Sequence, residues 1–188
     1  ISNGMAKAED IKEFGRKIEK ESDRLLTLID DIINLSNIDE QGSVENPENI
    51  DLSLVTEEAI CVLEKAAKER GIQIYYTKIP TFIKGNVTLV SELVYNLLDN
   101  AIKYNKDNGK ITVFVGESAK GVELSVKDTG IGIPPEDTER IFERFYRVDK
   151  SHSKKVGGTG LGLSIVKHVC ACHNATIRVK SKVGKGTT

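Results

Sequence analysis

The first part of the chain has its apolar residues on one face of a predicted helix. One apolar series recurs every seven positions, and a second follows three positions later, interrupted at Glu21. The two series are Ile11, Ile18, Leu25 and Ile32, then Phe14, Leu28 and Leu35. This spacing lets a helix bury one stripe against another helix. Residues 1–10 are too short and irregular to supply that partner. The seam therefore predicts a helix of a bundle, paired either with a second copy or with a helix upstream.

A polar break separates this helix from a mixed pattern of helices and strands. Residues 39–49 contain Gly42 and Pro47, as a linker does. Beyond them, the apolar periodicity predicts one helix ending at Gly71 and two more over residues 90–104 and 161–172. Alternating residues predict strands over residues 72–76, 110–116, 122–127 and 176–180. The two middle strands are joined by a short loop, so we expect an antiparallel pair. The pattern favours an α+β two-layer sandwich preceded by a separate helical element.

Composition excludes several classes of function. The 188 residues include 27 Lys and Arg against 28 Asp and Glu, for a net charge of −1. This balance gives no overall attraction to nucleic acid or to an acidic membrane surface. The sequence contains no apolar run of membrane-spanning length and no signal peptide. Three cysteines, an odd number, argue against a disulfide framework and favour a reducing compartment.

Glycine clusters mark the places where a ligand is expected. Eight of the 16 glycines form three groups, which are Gly130 and Gly132, then Gly157, Gly158, Gly160 and Gly162, then Gly184 and Gly186. Such clusters often surround phosphates, although a single cluster is more typical of tight turns. A P-loop does not fit, because Gly186 stands where Ser or Thr is needed. A dinucleotide fingerprint does not fit either, because Leu163 replaces its third glycine.

The helix predicted over residues 90–104 carries a polar face. Glu92, Asn96, Asn100 and Lys103 are spaced by four, four and three residues, opposite an apolar side. Carboxamides on a half-buried face are costly unless they bind something. An Asn oxygen can ligate Mg²⁺, and Lys can bind phosphate. Asp128 directly follows a strand and precedes two glycines, where a carboxylate can accept a hydrogen bond from the exocyclic amine of a flat base.

Four motifs in this order resemble those of bacterial sensor histidine kinases, members of the gyrase, heat-shock-90, histidine-kinase and MutL (GHKL) ATP-binding superfamily. They are an N box at residues 92–104, a first glycine box at 128–133, a phenylalanine box at 141–148 and a second glycine box at 158–163. The resemblance implies a two-layer α/β sandwich of the histidine-kinase-like ATPase (Bergerat) type. It also implies three regions: the second part of a dimerisation and phosphotransfer hairpin (residues 1–42), a linker (43–50), and an ATP-binding catalytic domain lacking its closing strand (51–188).

The resemblance further implies a role for each matching residue, with ATP and Mg²⁺ as ligands. Asn96 would ligate Mg²⁺, Asn100 would contact metal or phosphate, and Lys103 would contact phosphate. Asp128 would accept from the adenine amine, and Arg147 would reach the phosphates from a mobile lid over residues 134–157. Glu92 matches the general base of the superfamily's hydrolases. Tyr104 would stack at the adenine edge, and the other implied nucleotide contacts are Gly130, Gly132, Ile133, Tyr146, Gly158, Thr159, Gly160, Leu161, Gly162, Leu163 and Thr187.

The implied activity is transfer of the γ-phosphoryl group of ATP to a histidine, and then to an aspartate of a response regulator. The family's acceptor lies in a His-Glu-x-x-x-Pro-like motif, whereas this chain has only His152, His168 and His173. The acceptor is therefore expected outside the chain. The resemblance also implies a homodimer formed through the first helix, in the cytoplasmic portion of a membrane-anchored bacterial sensor. Two alternatives are an ATPase that uses Glu92 to activate water, and a degenerate scaffold that only associates through the first helix.

One cluster of metal-ligand types lies outside these motifs. His168, Cys170, Cys172 and His173 occur within six residues, which raises metal binding as an interpretation. On a helix, however, Cys170 and Cys172 point about 200° apart, so one tetrahedral site cannot easily use both. We expect both cysteines to act as small buried apolar residues.

Overall fold

The structure is a computed structural model that describes residues 11–19, 21–22, 25–26, 28–29, 33, 44, 46–119, 121–148 and 158–188. Residues 11–19 are helical, as the seven-residue spacing predicts. Ile11, Phe14 and Ile18 on this helix are 43 to 62% exposed. The apolar seam therefore remains available to a partner along this stretch. Ile32 and Leu35, which complete the predicted seam, lie outside the described residues.

Helices and strands alternate through the rest of the described chain. Two single-turn 3₁₀ helices, Pro135–Asp137 and Arg140–Phe142, follow the longest strands. The regular elements are β1 (Glu48–Asp51), α1 (Leu52–Glu69), β2 (Gln73–Thr77), β3 (Phe82–Gly85), α2 (Val87–Lys103), β4 (Lys110–Ser118), β5 (Gly121–Asp128), α3 (Gly162–Cys172), β6 (Ser181–Lys182) and β7 (Gly186–Thr187). None of the helices described is both long enough and apolar enough to cross a bilayer.

The central sheet has the strand order β2-β4-β5 and is mixed. β4 and β5 form the predicted antiparallel pair, with Ile111 opposite Asp128. β2 pairs parallel to β4, with Gln73 opposite Lys110. Parallel neighbours need a long crossover connection, and the segment that contains α2 supplies it here. Two small antiparallel pairs, β1-β3 and β6-β7, flank this sheet. Since β1 starts at Glu48 and pairs with β3, the last residues of the predicted linker pack as part of this folded unit.

The strand predicted over residues 176–180 does not form as a regular strand among the described residues. A strand needs a neighbour for its backbone hydrogen bonds. Here only the end of the segment has one: Lys180 and Thr188 exchange two backbone hydrogen bonds of 2.9 and 2.8 Å. Ile177 and Val179 are half-buried between exposed neighbours, in line with the alternating pattern, but the pattern did not indicate where a partner strand lies.

Polar residues cap the two helices that cover the sheet. Asp51 Oδ1 accepts hydrogen bonds from the backbone N–H groups of Ser53 and Leu54, which begins α1. Asn86 Oδ1 accepts from Leu89 N at 3.1 Å, which begins α2. Because this cap precedes the apolar pattern, α2 starts at Val87, three residues before the predicted start at residue 90.

The core lies between these two helices and one face of the central sheet. Val94 and Leu98 of α2 and Ile111 of β4 are fully buried in it. This packing confirms the predicted two-layer α+β sandwich. A second apolar cluster joins α3 to the start of α2, through Ile165 and Leu89 among others. Leu28, from the first helical stretch, packs against this second cluster.

Candidate functional site

The polar face of α2 presents two carboxamide groups to the start of α3. Asn96 Nδ2 donates to the carbonyl of Glu92 at 2.9 Å, and Asn100 Nδ2 donates to the carbonyl of Asn96 at 2.8 Å. Each amide group therefore turns its nitrogen towards its own helix and its oxygen away from it. A Cβ on Gly162 would lie only 2.6 Å from Asn96 Oδ1 and 3.5 Å from Asn100 Nδ2. Glycine at this position is what lets the two helices approach across the site.

Lys103 lies further along the same face and forms an ion pair. Its Nζ is 2.7 Å from Asp99 Oδ2, and the two side chains are 36% and 22% exposed. Our sequence reasoning missed Asp99, although the four-residue spacing to Lys103 is a recognised signal for such a pair. Glu92, at the other end of the face, is half-buried. The four residues that the sequence aligned therefore share one helix face, and Asp99 adds a second carboxylate to that face.

Asp128 ends β5 and points into the opposite part of the site. Its Oδ1 accepts hydrogen bonds from the backbone N–H groups of Gly130, at 2.7 Å, and Thr187, at 3.2 Å. Burial raises the pKa of Asp128 above its ordinary value, although the N–H groups of Gly130 and Thr187 act in the opposite direction. Both bonds end on Oδ1, so Oδ2 is the oxygen positioned to accept from a ligand.

Gly130 and Gly132 pack closely against the backbone of neighbouring segments. A Cβ on Gly130 would overlap the carbonyl oxygen of Tyr104, and one on Gly132 would overlap that of Lys182. Gly132 also has a φ of +72°, which disfavours other residues. The N–H of Ile131 donates to the Tyr104 carbonyl at 3.1 Å. The turn after Asp128 is therefore fixed to the end of α2, where Tyr104 is 36% exposed.

A hydroxyl network joins this turn to the C-terminal hairpin. The N–H of Ile133 donates to Ser181 Oγ at 2.8 Å, and Ser181 Oγ lies 2.8 Å from Thr187 Oγ1. Thr187 thus contacts Asp128 through its backbone and Ser181 through its side chain. The family resemblance implies a role for Thr187 but not for Ser181, because a single serine in a short hairpin carries no pattern.

The phenylalanine box is held against the second glycine cluster. Arg147 Nη1 donates to the carbonyl of Gly158 at 2.6 Å, and Phe145 N donates to the carbonyl of Gly160 at 2.9 Å. Phe145 has a φ of +63° and is 58% exposed, and strained non-glycine residues of this kind cluster at functional sites. The predicted lid includes residues 149–157, which lie outside the described residues.

Tyr146 is held by groups within the same segment. Its hydroxyl donates to Asp137, which raises the pKa of Tyr146, and the Arg140 guanidinium lies 4.1 Å from the centre of its ring. The structure therefore places this predicted nucleotide contact beside the 3₁₀ helices, in contact with their charged residues.

The second glycine box leads directly into α3. Thr159 Oγ1 accepts from the N–H of Leu161 at 3.2 Å, and Gly162 is the first residue of the helix. Leu161 is fully buried in the second apolar cluster, so the structure does not expose this predicted nucleotide contact to a ligand. Leu163 is half-buried. The box therefore offers backbone N–H groups at a helix N-terminus, an arrangement that favours anions.

The histidine and cysteine cluster has a structural role. Among the described residues, no group of three or more His, Cys, Asp and Glu side chains is placed to hold a metal ion. Cys172 is buried, and burial raises the pKa of Cys170. The His173 ring contacts the carbonyl of Val169 through Nδ1, at 2.8 Å, and accepts the N–H of Asn86 through Nε2, at 3.1 Å. It therefore joins the end of α3 to the start of α2.

Comparison with known proteins agrees with this arrangement. The family described as histidine kinase-, DNA gyrase B- and HSP90-like ATPase matches residues 85–188. The sensor-like histidine kinase SenX3 of Mycobacterium tuberculosis is 38% identical over 183 residues, which cover 96% of this chain and 44% of the relative. The sensor histidine kinase WalK of Bacillus subtilis is 35% identical over 194 residues, covering all of this chain and 31% of the relative. The chain thus spans less than half the length of these curated relatives.

Among solved structures, the mycobacterial sensor histidine kinase MprB is 32% identical. It superposes with a TM-score of 0.64, covering 75% of this chain and 92% of that structure. The family match spans the polar face of α2, Asp128 and both glycine boxes. The chain therefore belongs to the histidine kinase-, DNA gyrase B- and HSP90-like ATPase family, and within that family its relatives are sensor histidine kinases.

Proposed function

We propose that this chain supplies the ATP-binding catalytic domain of a sensor histidine kinase. It would transfer the γ-phosphoryl group of ATP to a histidine outside the chain, from which a response-regulator aspartate receives it. The observation that carries this proposal is the placement of Asn96 and Asn100 against Gly162, with Asp128 beyond the end of the same helix. One helix thus spans from a phosphate and metal region to a base region.

In the base region, the carboxylate of Asp128 is the acceptor that selects a base with an exocyclic amine. Asp128 Oδ2 accepts the amine hydrogen of adenine, while the bonds to Gly130 and Thr187 hold the carboxylate in place. The space that side chains on Gly130 and Gly132 would need is filled by the backbone of Tyr104 and Lys182, so these glycines act by holding the turn close beside the carboxylate rather than by leaving room for the ring. Tyr104, half-exposed at the end of α2, contacts the edge of that ring. Ile133 lies at the far end of the same turn.

The residues of the phosphate region fit Mg²⁺ in their chemistry. Asn96 and Asn100 direct carboxamide oxygens off α2, and Mg²⁺ accepts such hard oxygen ligands while keeping several waters. When bound, Mg²⁺ neutralises charge on the phosphate oxygens. Gly158, Thr159, Gly160 and the start of α3 offer backbone donors to the same oxygens.

Two cations complete the charge balance of this region. Lys103 exchanges Asp99 for phosphate, and Arg147 approaches from the lid, where it now bonds to the Gly158 carbonyl. Catalysis then consists of positioning and electrostatic stabilisation of the transferring group. Closure of the lid excludes water, since hydrolysis competes with transfer.

The assembly that we propose is a homodimer formed through the first helix. The exposed Ile11, Phe14 and Ile18 support this, since a helix with such a seam is stable in water when it is paired. The partners are a response-regulator receiver domain and the histidine-bearing helix, with no nucleic acid. We place the chain in the cytoplasmic portion of a membrane-anchored bacterial sensor.

Binding and transfer are tested separately. Calorimetry with Mg²⁺ and a non-hydrolysable ATP analogue should show one site per chain, and Asn96→Ala should remove most of the Mg²⁺-dependent affinity. Asn49→Ala, which removes an exposed amide on β1, serves as the control that leaves binding unchanged. No binding by the unaltered chain would refute the proposal.

The transfer assay supplies a separate hairpin fragment carrying the acceptor histidine. We expect labelled phosphate to appear on that histidine when the ATP carries a radioactive γ-phosphate. Steady ATP hydrolysis without any phosphohistidine, abolished by Glu92→Gln, would instead establish the ATPase alternative. That alternative is specifically favoured by the half-buried position of Glu92 one turn before Asn96.

A further inference from the structure

Arg70 lies at the end of α1, outside every motif of the site, and its side chain forms hydrogen bonds with the end of α2. Its Nη1 donates to the carbonyls of Ile102 and Lys103, the latter at 3.0 Å, and its Nη2 donates to the carbonyl of Asn105 at 2.6 Å. Its Nε donates to Asp107 Oδ1 at 3.1 Å. The last carbonyls of a helix have no partner within it and carry partial negative charge. One guanidinium satisfies three carbonyls in this turn.

Asn105, whose carbonyl accepts a hydrogen bond from Arg70, is bonded in turn to the base region. Asn105 is 3% exposed, and its Nδ2 donates to the carbonyl of Lys110 at 3.2 Å. Its Oδ1 accepts from Thr129 Oγ1 at 3.3 Å. Thr129 in turn accepts from Lys110 N at 2.9 Å. The amide of Asn105 thus joins the end of α2 to the residue that directly follows Asp128.

Close packing leaves this junction little freedom. A Cβ on Gly109 would overlap Asn105 Oδ1, and one on Gly130 would lie 2.9 Å from Asn105 Cα. Tyr104, the residue before Asn105, accepts the N–H of Ile131. A shift of the Asn105 backbone therefore moves Tyr104 and the turn at Gly130 together.

We propose that Arg70 is a positioning residue for the nucleobase. Through Asn105 and Thr129 it fixes the distance between Tyr104 at the end of α2 and the carboxylate of Asp128. This inference rests on the proposed ATP site, and it adds a determinant of base selectivity that touches no part of the nucleotide.

The test must remove the planar set of N–H donors of the Arg70 guanidinium while keeping its positive charge. Arg70→Lys keeps the positive charge but cannot donate to three carbonyls in a fixed plane. We expect affinity for ATP to fall about tenfold, the effect of roughly one lost hydrogen bond to a charged group. Affinity for inorganic tripolyphosphate with Mg²⁺ should fall much less than affinity for ATP, because Arg70 contacts only the backbone carbonyl of Lys103, whereas Asn96 and Asn100 lie on earlier turns of α2. The ATP preference over ITP should shrink, since inosine has a carbonyl in place of the amine.

The control is Lys68→Ala, which removes another cation at the end of α1 whose partner is the exposed Glu64. This variant should keep both affinities. All affinities are measured at a temperature where circular dichroism shows each variant folded. If Arg70→Lys lowers the melting temperature but leaves the ATP to ITP ratio unchanged, Arg70 is only a structural residue and the inference is wrong.

A second variant covers the case in which Arg70→Lys does not fold. Thr129→Val removes the hydroxyl between Asn105 and Lys110 and should reduce the ATP to ITP ratio in the same direction. An unchanged ratio in this variant also overturns the inference. Failure of the unaltered chain to bind ATP would instead refute the proposed function, so the two failures are distinguishable.

Discussion

Asp128→Asn should separate nucleotide binding from stability, because the same burial affects the two in opposite directions. The pKa of Asp128 is raised by burial, so keeping it ionised at neutral pH costs folding free energy. Asparagine has nearly the same shape and carries no charge. Its oxygen can retain the bonds from the N–H groups of Gly130 and Thr187. We therefore expect the variant to be as stable as the unaltered chain or more stable.

Binding should be lost for a geometric reason. With its oxygen kept on Gly130 and Thr187, the introduced asparagine would turn its NH₂ group towards the exocyclic amine, so that two donors face each other. The loss is a hydrogen bond to a charged acceptor, about 1.5–3 kcal/mol, together with an unsatisfied polar group, about 1–3 kcal/mol. Together these predict about 2.5–6 kcal/mol, which corresponds to a roughly sixtyfold to twenty-thousandfold lower affinity at about 1.4 kcal/mol per factor of ten.

The assay combines calorimetry with ATP and a thermal melt of the same preparations. Glu123→Gln is the control, since that side chain is exposed on β5 and is not among the residues of the proposed site. Retained affinity in Asp128→Asn would refute the role of Asp128 in binding. Lost affinity together with a clearly lower melting temperature would refute the geometric reason for the loss, because the carboxylate would then mainly stabilise the fold.

Three further predictions follow from contacts of the site. Gly162→Ala should weaken Mg²⁺-dependent ATP binding at least tenfold, because its Cβ would lie 2.6 Å from Asn96 Oδ1; Gly15→Ala, with no atom within 4 Å of its Cβ, should leave calorimetric binding unchanged. As the pH is lowered, ATP affinity should begin to fall above the usual titration range of aspartate, because the pKa of Asp128 is raised; an affinity that is constant until about pH 4 would contradict this. His173→Ala should lower the urea unfolding free energy by about 1–3 kcal/mol, since Asn86 N–H loses its acceptor; an unchanged urea midpoint would show that water replaces the ring.

The sequence predicts the polar face of α2 well because local spacing determines it. Residues three and four apart on a helix must share a face, so Glu92, Asn96, Asn100 and Lys103 align in the structure as expected. Asp128 could be predicted from the sequence equally well, because a carboxylate between an apolar strand and two glycines is a distinctive local pattern. Both predictions depend only on neighbours in the chain.

What the sequence did not reveal depends on distant pairings. The parallel pairing of β2 with β4 joins residues 37 positions apart, Gln73 and Lys110, and the alternating pattern is compatible with either direction. Arg70 is a further example, since three of its four partners are backbone carbonyls, which leave no trace in side-chain patterns. The strand wrongly predicted over residues 176–180 has the same cause, since edge pairing needs a neighbour that periodicity cannot identify.

The mixed sheet determines the order in which the molecule can be assembled. β4 and β5 form a local hairpin, and hairpins form within about 1–10 μs. We expect the parallel pairing of β2 with β4 to form later, because it closes the long loop that contains α2 and the entropy of that loop is lost before the contacts are gained. The ligand site that we propose is divided between α2 and the end of β5, so we expect no partly folded chain to contain it whole. Nucleotide would then bind only the native state and raise the apparent stability in proportion to the logarithm of its concentration.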